Sequence, residues 1–155
     1  MWIVERKTSS STEVRVKELP TIENTLLLRT DFSDDSKWES LREAIEQPNE
    51  DGFKAYVEYI SDPAYDGLTV EQLVALEPKG DQCGKHTFAF IADRTTFSSL
   101  ERPVLVVDLH DEPGRTFRVI PAEMWGVENN LSIANMDYSE FADNADPDGT
   151  FRGFP

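Results

Sequence analysis

Asp31, Asp93 and Asp108 each follow or close an apolar run, in LLLRTD, TFAFIAD and PVLVVD. In an open α/β sheet, ligands gather beyond the carboxyl ends of parallel strands, so carboxylates at those ends are candidates for chemistry. Three of them converging would hold Mg²⁺ through hard oxygen ligands and position a phosphate for attack. Arg29 or Arg94 would steady the phosphate. His110, two residues beyond Asp108 and on the same face of an extended strand, would add a ligand or shuttle a proton. These residues describe a Mg²⁺-dependent enzyme acting on a phosphate ester.

Each member also has a local explanation. Asp31, Asp34 and Asp35 are the residue type preferred around a helix N-terminus, where free N–H groups and the positive dipole end meet a carboxylate. Asp93 would cap the turn DRTTF, and Asp108 would pair with Arg115 or Arg118 across a hairpin. No two acids have the tight spacing of a dedicated catalytic pair, which puts the structural reading first. Cys83 and His86, three apart in DQCGKHT, would make a thiolate nucleophile only if the thiol pKa were lowered, and a lone loop cysteine is usually inert. The glycines form neither a GxGxxG nor a phosphate-loop pattern. Asn129, Asn130, Ser132 and Asn135 cluster in ENNLSIANMD, where amides would bind a ligand or, more commonly, satisfy backbone groups at a turn between helices.

The elements that must position these residues are legible from periodicity. NTLLLRT reads as a buried strand, and Trp38, Leu41 and Ile45 at three- and four-residue spacing predict a helix that Pro48 ends. FKAYVEYIS predicts a second strand, with Ala55, Val57 and Tyr59 on one face and Tyr56, Glu58 and Ile60 on the other. Thr69 and Gln72 are spaced as a capping box for a short second helix. TFAFIAD and PVLVVDL are uninterrupted apolar runs, expected to be central strands covered on both faces. The Pro-Gly in HDEPGR predicts an antiparallel hairpin to TFRVI. Pro121 suits the start of a short helix that the Asn pair at 129 and 130 breaks, and Asp137 with Glu140 gives a second capping box. The order predicts an α/β or α+β fold: a mixed, mainly parallel sheet of about five strands with flanking short helices and a C-terminal antiparallel hairpin. Trp38, Leu41, Phe90, Val106, Phe117 and Trp125 are its expected core. Residues 1–23 are read as an arm or edge strand, residues 24–155 as a single acidic domain, and Phe151 and Phe154 are expected to tuck the tail against it.

Charge narrows the function. The 155 residues carry 30 acidic and 15 basic side chains, a formal charge of −15. Nucleic-acid affinity comes largely from Lys and Arg displacing counterions, so no nucleic-acid partner is expected. No apolar stretch approaches the ~20 residues of a membrane span, and the N-terminus is charged where a signal peptide needs its apolar region. With one cysteine in the chain, no internal disulfide forms, and a cytoplasmic setting without membrane contact is expected.

The segments LLLRTDFSDDSKW, DPAYDGLTVEQL, PVLVVDLHDEPGRTFRVIP and VENNLSIANMDYSEFAD resemble a family of small acidic domains of unknown function found in actinobacteria and fungi, over about residues 24–154. The resemblance implies a self-contained domain and assigns neither a cofactor nor a catalytic residue. The sequence therefore points to a non-catalytic binding module without a cofactor, such as an immunity-like inhibitor of a basic protein partner. Its expected contact face is the first helix, with Asp34, Asp35, Glu39 and Glu43. The Mg²⁺ enzyme built on Asp31, Asp93 and Asp108 is the alternative.

Overall fold

A computed structural model describes residue 19 and residues 24–77 and 86–155. Most of the expected N-terminal arm, and Cys83 with its loop, lie outside the described residues. Among the described residues, six strands form one sheet in the order β2-β1-β3-β4-β5-β6: β1 Thr25–Arg29, β2 Val57–Ile60, β3 Phe88–Ala92, β4 Val104–Asp108, β5 Thr116–Val119 and β6 Thr150–Phe151. The β1–β2, β1–β3 and β5–β6 pairs are parallel, and β3–β4 and β4–β5 are antiparallel. Five strands thus point one way and β4 alone runs against them.

The buried runs behave as their composition requires. All five residues of β1, β3 and β4 are buried. Apolar side chains alternate between two layers because successive residues of a strand face opposite ways. On one face Leu27, Phe90, Val106 and Phe117 pack against the helices α1 (Asp35–Glu46), α4 (Met124–Ser132) and α5 (Tyr138–Ala142). On the other, Leu26, Leu28, Ile91 and Val107 meet Leu73 of α2 (Val70–Leu76), together with Tyr65 and Leu19. Leu19 is 3% exposed, so part of the segment before β1 contributes to this core. Of the expected core residues, Trp125 alone is only half-buried.

Three features differ from the sequence reading. The remaining helix, α3 (Arg94–Ser98), joins β3 to β4, and β4 is antiparallel to β3. A parallel return requires a crossover of a dozen or more residues, usually with a full helix, and the stretch 94–103 is too short. Second, α4 continues through Asn129 and Asn130, because the Asn130 amide donates to the Gly126 carbonyl at 2.8 Å instead of competing with the helix. Third, the tail supplies β6, which pairs with Arg118 and Val119 of β5. Phe151 is 2% exposed there, whereas Phe154 stays 49% exposed while touching the Phe141 and Phe151 rings.

Candidate functional site

Arg29 ends β1 and is 4% exposed. Its Nε donates to the Asp31 carbonyl at 3.0 Å, one terminal nitrogen reaches Ser61 Oγ at 3.3 Å, and the other pairs with Asp35 at 2.7 Å. The guanidinium also lies 4.4 Å from the Phe32 ring centroid. A buried guanidinium is tolerated only with such partners. Arg29 fastens the ends of β1 and β2 to the start of α1. Asp31 accepts the Ser33 N–H at 3.0 Å in the same turn.

Asp93 follows β3 at the same edge of the sheet as Asp31. It caps α3, accepting the Thr96 N–H at 3.1 Å, and binds Arg118 through both oxygens at 3.0 and 2.8 Å. Burial raises its pKa, but the Arg118 hydrogen bonds and charge outweigh burial and hold the carboxyl below the usual range. Arg94 is exposed and makes no ion pair among the described residues.

Asp108 does not join them. It pairs with Phe88, and Asp93 lies five residues further along that strand, so the two acids sit about 16 Å apart along the sheet. The antiparallel course of β4 carries Asp108 to the opposite edge. There it is 2% exposed and accepts the N–H groups of His110 (2.9 Å), Asp111 (3.2 Å) and Glu112 (2.8 Å), closing the hairpin turn. Arg118 pairs with Asp93, not Asp108. His110 lies beyond the strand, exposed, with Nδ1 2.9 Å from Asp111. The geometry the Mg²⁺ reading needs, three carboxylates within a few ångströms, is not what these residues form.

The asparagines serve the turn after α4. Asn135 donates to Asn130 Oδ1 at 2.8 Å, and the backbone N–H of Asn135 reaches the Asn130 carbonyl at 2.9 Å. Asn129 is exposed. At α5 Asp137 and Glu140 form the expected capping box, with Glu140 accepting the Asp137 N–H at 2.9 Å.

The outer face of α1 carries the remaining candidates. Asp34 is its N-cap, accepting Ser36 and Lys37 N–H groups at 2.9 and 3.2 Å. The Ser36 hydroxyl, then the Lys37 N–H, hold its pKa below the usual value. Asp35, Glu39 and Glu43 recur every four residues and are all exposed, opposite Trp38, Leu41 and Ile45. Glu39 bonds Arg42 at 3.0 Å, an exposed pair of small worth. Glu43 makes no ion pair among the described residues.

Sequence reasoning missed a cleft of about 430 Å³ between the C-terminal half of α1, residues 47–55, the Glu101–Arg102 turn and the start of α4. Phe53 and Trp125 form one wall, stacked at 5.2 Å with their planes 16° apart. The available signal was Phe53 itself, which the sequence reading placed at the start of the second strand but which lies ahead of β2 in the turn that follows α1. Glu128 was missed too: 7% exposed on α4, it accepts from the Tyr56 N–H (3.0 Å), Ser132 Oγ (2.8 Å) and Thr25 Oγ1 (3.3 Å).

Residues 24–154 match a family described as a domain of unknown function, DUF6924. The chain belongs to this family. The match spans the whole sheet and every helix described above. No curated protein matches the chain. Among the described residues of this DUF6924 domain, no helix is long and apolar enough to cross a membrane.

Proposed function

We propose that the domain is a non-catalytic binding module that docks a basic polypeptide along the exposed face of α1. The observation that carries this reading is the Asp35–Glu39–Glu43 stripe. Like charges four residues apart on a helix repel, at about 0.2–0.5 kcal/mol per pair. Glu43 and Glu46 also lie toward the negative end of the helix dipole, where cations are preferred, and the last turn has no basic residue. Arg29 and Arg42 offset Asp35 and Glu39, which leaves Glu43, without an ion pair among the described residues and near the negative end of the helix, as the charge that works against α1 and is expected where a surface serves a partner. A basic chain laid along the stripe would relieve this repulsion, and the charge of −15 would steer it there.

An inhibitor of a basic toxin is one partner relationship with this chemistry. The test is affinity capture from the source cell at about 0.05 and 0.5 M salt, since exposed charges are screened beyond about 8 Å at physiological ionic strength. A basic polypeptide retained at low salt, released at high salt and lost in Glu39→Lys/Glu43→Lys is the expected result. A partner held equally in all three conditions opposes the reading.

A further inference from the structure

The 430 Å³ cleft lies on a different flank of α1 from the acidic stripe, and its chemistry is the reverse of the protein's overall charge. Its volume falls within the range of small-molecule sites, about 300–1,000 Å³. Ile45, Pro48, Phe53, Ile120, Pro121 and Trp125 give it apolar and aromatic walls. Three charged side chains line it, and two are committed elsewhere. Glu101 is bound by Arg152 through two hydrogen bonds of 2.8 Å, and Lys54 is paired with Glu46. The third is Arg102.

Arg102 makes no ion pair among the described residues, and its one side-chain hydrogen bond goes to Ser40 Oγ at 2.8 Å. The remaining guanidinium N–H groups match the two oxygens of a carboxylate. Its backbone is left-handed, φ +51°, a conformation uncommon for a residue with a branched or long side chain and one that tends to mark functional positions. The turn that imposes it, with the Arg102 N–H on the Ser99 carbonyl at 3.1 Å, sets this side chain beside the cleft.

We infer that the cleft binds a small monocarboxylate with an aromatic body, the ring against Phe53 and Trp125 and the carboxylate on Arg102. A single charge is favoured because Arg102, which lines both this cleft and the neighbouring hollow of Lys37, Ser40 and Phe97, is the one cation lining the cleft without an ion pair among the described residues, while the surrounding field is negative. This site is independent of the polypeptide-docking reading, and either can fail alone.

Phenylacetate and its neutral amide, phenylacetamide, are the probes, followed by ¹⁵N-resolved NMR of the full chain. Phenylacetate is expected to give saturable shifts at the Trp125 indole N–H and the backbone of residues 47–54, with phenylacetamide about tenfold weaker. In Arg102→Met the two probes should bind alike. Ala122→Phe, which fills the cleft from its rim, should abolish both while the melting temperature stays within a few degrees. Non-saturating shifts, shifts centred elsewhere, or equal binding of the two probes to the unsubstituted protein would overturn the assignment.

Discussion

Asp93 at the end of β3 and Arg118 on β5 grip each other through two hydrogen bonds, 3.0 and 2.8 Å, across the start of the intervening strand β4. Arg118 also donates to the Pro103 carbonyl at 3.1 Å, just before β4 begins. One ion pair therefore ties three adjacent strands at a single edge. It turns a carboxylate that the sequence offers as catalytic into a clamp.

Because Asp93 has a folded-state pKa below its ordinary value of 3.8, it stabilises the protein above that value, and the contribution is lost as pH falls through the folded pKa. Asp93→Asn is expected to cost about 2 kcal/mol at pH 7. Urea denaturation at pH 7 and pH 3 should show the difference from wild type shrinking at the lower pH. An unchanged difference would mean that the charge is not what matters.

Phe90 is fully buried in the central strand β3, against Phe88 at 5.6 Å between ring centroids. Phe90→Ala should destabilise by about 3–5 kcal/mol, measured by the same denaturation. A loss below about 1 kcal/mol would contradict a central position for β3.

Glu128 holds the edge strand to the body, since its carboxylate bridges the backbone just before β2, the first residue of β1 and the end of α4. Glu128→Ala should cost about 2 kcal/mol and speed amide exchange in Val57–Ile60 more than in β3 or β4. Uniform exchange across the sheet would show that the bridge is dispensable to β2.

The Tyr138 hydroxyl lies 2.8 Å from the carbonyls of both Val106 and Arg115, joining α5 to the β4–β5 hairpin. Burial, with the Asp108 charge adding, pushes its pKa upward, so it remains a protonated donor at neutral pH. Tyr138→Phe should cost about 1 kcal/mol in a thermal or urea transition. A neutral outcome would mean that the two carbonyls find other donors.

The sequence makes some of this legible and hides the rest for physical reasons. The buried stripe of α1 follows from Trp38, Leu41 and Ile45, and the alternation in AYVEYI places Tyr59 inward and Glu58 outward. The direction of β4 was misread, although the link between TFAFIAD and PVLVVDL is too short for a parallel crossover. That one strand decides whether Asp108 shares an edge with Asp93. By contrast β6 has two residues, too few for any period, and its pairing depends on the distant β5. Asn130 looks like a helix breaker until its amide is seen on the Gly126 carbonyl. The cleft is assembled from three separate segments, so no local pattern announces it.

The proposed contact between the α1 stripe and a basic polypeptide is tested most directly by titration calorimetry with the captured partner. Wild type would be compared with Glu39→Lys/Glu43→Lys and with Glu58→Lys, which reverses an exposed charge on the other face of β2. At least a tenfold loss of affinity is expected in the α1 variant, on the order of 1.4 kcal/mol or more, with Glu58→Lys within about twofold of wild type. Equal affinities for wild type and the α1 variant, or an equal loss in both variants, would contradict it.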